Sequence, residues 1–239
     1  MNPTIDLMKS HVSVRKFTDE AIPAETLSEI IDAGRAASSW KAFWSYSIVT
    51  VTSDEQKAAL HALVPQPAIL GCSAFLVFCG DVTLADAACE MHGAQFEPAG
   101  IETLLITSVD ASLAAQNTLL AAESLGYGGV IIGLIRNVSA EVSDVLGLPQ
   151  YTYPIFGVAL GRPARTHAVK PRLPQRAQVS SERYEPTADL MGVIREHDKA
   201  QADYFGGRAA EDWSERLVAQ WGSAEVESST ENLKAKGLL

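Results

Sequence analysis

His11-Val12-Ser13-Val14-Arg15-Lys16-Phe17 is the stretch whose residue types and spacing could do chemistry. Alternation places His11, Ser13 and Arg15 on one face of an extended segment, with Val12 and Val14 on the other. A ring nitrogen, a hydroxyl and a guanidinium together suit an anion such as a phosphate. Taken alone, the segment reads more plainly as a short edge strand with a solvated polar face. A second cationic pattern lies far along the chain, in Lys170-Pro171-Arg172-Leu173-Pro174. There proline holds two cations at i and i+2 in an extended chain. Cys72, Cys79 and Cys89 are odd in number and lack paired C-x-x-C spacing. That argues against a disulfide framework or a zinc site, no metal being expected, and leaves buried thiols in a reducing cytoplasm.

The elements that must position these residues belong to an ordinary globular chain. With 239 residues, 47% hydrophobic and 20% charged, it can bury a substantial core as one large domain or two small ones. A net charge of −10 and a pI near 5.0, with no long basic run, argue against nucleic acid or an anionic membrane surface as partner. Residues 1–10 hold no apolar core of a secretory signal, and no apolar run is long enough to span a bilayer.

Periodicity predicts a short helix over Thr4–Lys9 with Thr4 as its cap, and an amphipathic helix over Glu25–Ala37. A loop at Ser38–Lys41 leads to a strand over Tyr46–Thr52 and a helix over Asp54–Leu63 capped by Ser53. The continuous apolar run Ala74–Cys79 predicts a buried central strand. Asp86–Gly100 has little pattern and reads as a loop or partial helix. Ile101–Leu125 reads as a long helix apolar on more than one side, buried in the core or in a dimer interface, with Gly126 ending it. Strands over Val130–Ile132 and Tyr151–Leu160 flank a helix capped by Ser139. From Gly161 to Pro186 the chain has no period and reads as a linker or a surface arm. Helices over Thr187–Gln201 and Glu211–Gln220 follow, and the polar tail from Ser223 is expected to be poorly ordered alone.

Read together, His11-x-Ser13-x-Arg15-x-Phe17, Ala36-x-Ser38-Ser39, Ala121-x-Glu123-Ser124-Leu125-Gly126, Gly128-Gly129-Val130-x-Ile132-Gly133, Arg136-Asn137 and Lys170-Pro171-Arg172-Leu173-Pro174 form a series. In that order the chain resembles the FMN-dependent nitroreductase family, and within it the oxygen-insensitive major nitroreductases and related flavin reductases. The resemblance runs from Met1 to Pro186 and more loosely into the Trp213 helix. It implies an α+β fold, a mostly antiparallel sheet enclosed by helices, built as an intertwined homodimer with FMN at sites between the subunits. It also implies one nitroreductase-like domain over residues 1–239, with an arm over about 162–186 and a helical extension over about 187–239.

Carried over residue by residue, the resemblance assigns His11, Ser13 and Arg15 to the ribityl chain and phosphate of FMN, with Lys170 and Arg172. Val12 lies within that segment, where the subgroup usually has arginine. Ser39 and Gln66 match further cofactor contacts. Ile131, Ile132, Gly133 and Leu134 correspond to the segment beside the flavin ring, where a glycine would let backbone approach. Trp40 and Lys41 replace small residues and are candidates for the acceptor or nicotinamide site. Arg208 is the single cation of a shortened loop that carries more arginines in NADPH-using relatives, so weaker discrimination between NADPH and NADH is expected. No catalytic side chain is assigned, because FMN carries the chemistry; Asp110, Glu123 and the remaining histidines receive structural readings. The function implied is reduction of nitroaromatic, quinone or related acceptors by NAD(P)H in ping-pong fashion. Supply of reduced flavin is the alternative, and a non-catalytic flavin carrier or sensor is an alternative of another class.

Overall fold

Both faces of the strand Ala74–Asp81 (β2) are covered, and the sheet is built around it. The computed structural model describes residues 2–206, 211–221 and 227–239. Strand β2 lies between β1 (Tyr46–Val51) and β4 (Thr152–Gly161), and β3 (Gly128–Ile132) pairs with the far edge of β4. All four strands are antiparallel, in the order β1-β2-β4-β3. An antiparallel sheet often keeps one wet face; here side chains of β2 are apolar on both faces because each meets a separate cluster. Ala74, Leu76 and Phe78 pack with Leu27 and Ile30 of α2 (Ala24–Arg35) and the small residues of α6 (Ile101–Ser124). Phe75, Val77 and Cys79 pack with Leu60 of α3 (Asp54–Leu63), Ile69 of α4 (Pro67–Gly71) and Val142 of α7 (Ser139–Leu146).

The alanines of α6 let α2 come close. Ala111, Ala114, Ala115 and Ala122 are buried, and at Gly34 an added Cβ would lie 2.1 Å from Thr118 Oγ1. Along another side of α6, Leu105, Val109 and Leu113 recur every four residues and stay exposed. The long-helix expectation therefore holds, as does the glycine after it, since Gly126 adopts φ 79° and Tyr127 N–H returns to Ala122 O at 3.0 Å.

Three expectations are corrected. Helix α1 (Pro3–Lys9) is capped by Asn2, whose Oδ1 accepts Thr4 N–H at 2.9 Å, so Thr4 lies inside it. Ser139 likewise lies within α7, its hydroxyl accepting Asn232 Nδ2–H at 2.7 Å. The stretch Asp86–Gly100 is the partial helix expected, since α5 (Thr83–Met91) runs into it and stops at Met91. From Glu227 onward the polar tail is ordered, its residues 223–226 lying outside the described residues: α10 (Glu227–Ala235) leads to Leu238, fully buried in the same core cluster as Ile30, and Leu238 O accepts Gly100 N–H at 3.0 Å. Leu233 and Leu238 anchor an otherwise polar segment, and a composition reading averages them away.

The chain forms two compact units, Met1–His167 with Val226–Leu239 and Ala168–Glu225. The second contains α8 (Leu190–Phe205) and α9 (Trp213–Trp221). Within it, His197 and Trp213 meet edge to face at 4.7 Å, and Asp198 accepts Ser214 N–H at 2.9 Å. Its residues 168–171 are tied to α8 by Tyr204 O–H to Ala168 O at 2.8 Å and Gln201 Nε2–H to Pro171 O at 3.4 Å. Among the described residues no helix is long and apolar enough to cross a membrane.

Candidate functional site

The segment 11–17 runs beside the sheet edge, held by Val14 N–H to Gly129 O at 2.8 Å and by a bridge between Phe17 and Pro163. Val14 turns inward, and a Cβ on Gly128 would lie 2.7 Å from its Cγ2, so the glycine makes room for the valine. Ser13 and Arg15 are thereby turned out to solvent. The plain edge-segment reading describes the backbone correctly, and the polar face is real.

That face borders a cavity of about 440 Å³. Arg15, Lys16 and Arg165 bring three cations to it, the last from the chain leaving β4, where Ala164 N–H returns to Lys16 O at 3.0 Å. Gln66, the N-cap residue of α4, lines it, and its side chain makes no capping hydrogen bond to that helix. The far end of β3 supplies Val130, Ile131 and Ile132, followed by Gly133 and Leu134. Ile131 and Leu134 are about half exposed and give the cavity an apolar wall. An anionic group beside the cations and a flat apolar ring against the strand edge would both be satisfied here.

Gly133 lines the cavity and also stands close to an arginine. A Cβ there would lie 3.0 Å from the Arg136 guanidinium, which donates to Ile155 O at 2.8 Å. The glycine makes room for an arginine that fastens the turn after β3 to β4. Lys16 and Arg165 were not assigned from sequence. Lys16 adjoins Arg15 and could have been found by charge; Arg165 sits in a stretch without periodicity and carries no local signal. The nearby Arg162 is already committed, donating to both oxygens of Glu20 at 2.8 and 3.0 Å and lying 4.6 Å over Tyr127. That contact holds the Glu20 carboxyl below its ordinary range.

The other assigned residues fall elsewhere. The His11 ring meets Glu123 Oε1 through Nδ1 at 2.5 Å, and Val12 is half-buried; neither lines the cavity. Ser39, Trp40 and Lys41 lie at a turn beside a second, mostly apolar cavity of about 510 Å³, which Trp40, Phe43 and Phe96 border. Lys41 Nζ stands 4.4 Å over the Trp40 ring. Lys170 and Arg172 are in the second unit, where Lys170 Nζ lies 5.5 Å from the Phe205 ring. Arg208 lies outside the described residues.

Residues 8–162 match the profile of the nitroreductase family, and residues 170–239 match that family's C-terminal domain. An FMN reductase (NADPH) from Bacillus subtilis is 35% identical over 226 residues, covering 91% of each chain. An oxygen-insensitive NADPH nitroreductase from Salmonella typhimurium is 37% identical, covering 91% of this chain and 90% of its own. The crystal structure of NADPH:FMN oxidoreductase from Vibrio harveyi complexed with NAD+ superposes with a TM-score of 0.89 at 35% identity, covering 99% of both chains.

Proposed function

The chain belongs to the nitroreductase family, and on that premise we propose that it is an FMN-dependent NAD(P)H oxidoreductase whose cofactor sits in the cavity beside Arg15. The observation that carries this is the lining: three cations, a free-standing amide and an exposed apolar strand edge around one space of about 440 Å³. That volume lies within the range of small-molecule and cofactor sites, roughly 300–1,000 Å³. Arg15, Lys16 and Arg165 would hold the phosphate by charge-assisted hydrogen bonds, each worth about 1.5–3 kcal/mol. Gln66 would orient the polar edge of the ring, and Ile131 and Leu134 would exclude water from its face. The resemblance further assigns His11 and Ser13 to the phosphate and ribityl chain. When bound, FMN supplies the hydride-accepting and hydride-donating chemistry, so the chain needs no acid–base pair of its own.

The protein acts as a homodimer in this reading. Trp40 borders a different cavity from Gln66 within one chain, so a second copy would bring it to the cofactor. The exposed row Leu105, Val109 and Leu113 on α6, with Ile5 and Met8 on α1, supplies apolar surface for such a partner. Nicotinamide and acceptor would use one pocket in turn, the acceptor being a nitroaromatic, a quinone or a related oxidant. Free flavin as acceptor is a second reading, favoured by the FMN reductase among the relatives. The non-catalytic carrier reading loses support, since the compared relatives of stated activity are reductases. Buried, unpaired Cys72 and Cys79 suit the reducing cytoplasm.

The test is anaerobic mixing of the yellow protein with NADH or NADPH. Bleaching of the flavin band, restored by a quinone, a nitroaromatic or free FMN, is expected. Absence of bleaching with either donor would sink the enzymatic reading.

A further inference from the structure

The turn after β3 is a weak element by itself. It is a six-residue 3₁₀ stretch, Gly133–Val138, with no side-chain cap at its start. Such stretches hydrogen-bond poorly and seldom run past three or four residues, so their shape depends on what they touch. Its first two residues, Gly133 and Leu134, line the cavity. Ile135 is fully buried, and Arg136 fastens the turn to β4 through Ile155 O.

The last helix, α10, holds the same turn at two further points. Ser229 Oγ–H donates to Arg136 O at 2.8 Å, and Asn232 Nδ2–H donates to Ser139 Oγ, just past the turn, at 2.7 Å. Asn232 and Ser139 are both buried, where an amide without a partner is costly, so that contact resists breaking. The tail is itself seated independently of the turn. Leu238 is fully buried in the core cluster of Ile30, and Lys236 Nζ donates to Leu148 O at 2.6 Å and to Pro149 O at 3.1 Å. Among the described residues of the tail none lines the cavity, so any effect on a ligand there passes through the turn.

We propose that α10 is a positioning element of the flavin site: through Ser229 and Asn232 it holds the turn 133–138 in the shape that sets Gly133 and Leu134 against the flavin ring. This rests on the FMN reading given above. It gives α10 no part in the hydride chemistry. Flavin affinity then scales with the fraction of molecules whose turn is held in the binding shape.

The experiment is fluorescence titration of full-length apoprotein with FMN and, separately, with riboflavin, which shares the ring and lacks the phosphate. Melting temperature is followed in parallel. Ser229→Ala with Asn232→Leu removes both donors at little change in size; Ser229→Thr keeps a hydroxyl. Because the turn meets the ring end, the double variant should lose affinity for both flavins by the same factor, roughly fivefold. Ser229→Thr should bind both as the wild type does. A lower melting temperature with both affinities unchanged would make α10 a structural strap only and overturn the proposal. A loss confined to FMN, or a loss in Ser229→Thr equal to that in Ser229→Ala, would overturn it too. Should the double variant fail to fold, Ser229→Ala alone, at a half-buried position, reads the same contact, and unchanged affinity for both flavins there overturns the proposal as well. A wild-type protein that binds neither flavin would instead overturn the FMN reading, and this inference with it.

Discussion

Asp110, buried in α6, accepts the backbone N–H of Trp40 on Oδ1 at 2.8 Å and that of Ser45 on Oδ2 at 3.1 Å. One carboxylate thus closes both ends of a turn that contains three non-glycine residues with positive φ: Lys41 at 49°, Ala42 at 57° and Trp44 at 49°. Such conformations cost of order 1–3 kcal/mol each and persist only where their surroundings impose them. The turn presents Trp40, Phe43 and Trp44 to solvent and stands between two cavities, of about 510 and 520 Å³.

Removing that clamp should be costly in a graded way. Asp110→Ala leaves two backbone N–H groups unsatisfied, each worth about 1–3 kcal/mol, so a loss of roughly 2–5 kcal/mol in urea denaturation is expected. Asp110→Asn keeps one acceptor oxygen and should lose about half as much. Equal losses would mean that the two hydrogen bonds are not what matters.

Gly34 carries the close approach of α2 and α6. A methyl group there would meet Thr118 Oγ1 at 2.1 Å and Ala114 O at 3.1 Å, so Gly34→Ala should destabilise by about 1–3 kcal/mol despite its better helix propensity. Adding Thr118→Ala removes the nearer clash, and part of the loss should return. The residual cost measures the contact with the Ala114 carbonyl, which cannot be deleted. A double variant no more stable than Gly34→Ala would refute this packing account.

The pieces of this fold were legible where the physics is local. Alternating and continuous apolar runs located β1 and β2, and small residues at helical spacing located α6, because burial selects those patterns residue by residue. The insertion of β4 between β2 and β3 was not legible, since pairing between strands so far apart in sequence leaves no local mark. The anchoring of the tail by Leu238 escaped for the same reason. In the site, Arg15, Gln66 and Ile131–Leu134, which the resemblance assigned to one cofactor, line one cavity. Arg165 escaped because its stretch has no period, and the nearness of the Arg136 guanidinium to Gly133 escaped because it depends on how the turn after β3 folds back.

Arg165 offers a direct check on the cavity. If it shares the phosphate with Arg15 and Lys16, Arg165→Ala should weaken FMN binding by roughly 10–100-fold, the equivalent of one charge-assisted hydrogen bond. Riboflavin binding should change little. Because Arg165 Nε also donates to His167 Nε2 at 3.1 Å, thermal stability must be followed in parallel. A fall in melting temperature with unchanged FMN affinity would reassign Arg165 to the structure of its loop.

The free thiols make a prediction about alkaline pH. Burial pushes Cys72 up to about 11 and Cys79 up to about 12, against an ordinary thiol value near 8.5. Lys57 opposes the shift at Cys72, and Asp81 reinforces it at Cys79. Above about pH 9 the unfolded chain releases these protons while the folded one keeps them, so the unfolded state binds fewer protons and stability falls as pH rises. The contribution is fully present below pH 8 and erodes through about pH 9–12, on the order of 1 kcal/mol per pH unit for each thiol. Burial raises Tyr46 and Tyr153 as well, which adds to the loss in the upper part of that window. Replacing both cysteines by alanine should flatten the slope of unfolding free energy against pH between 9 and 11. At neutral pH, iodoacetamide should label the partly exposed Cys89 in the folded protein and reach Cys72 and Cys79 only after denaturation. Rapid labelling of Cys79 in the native state would show that the core around β2 opens far more readily than its packing implies.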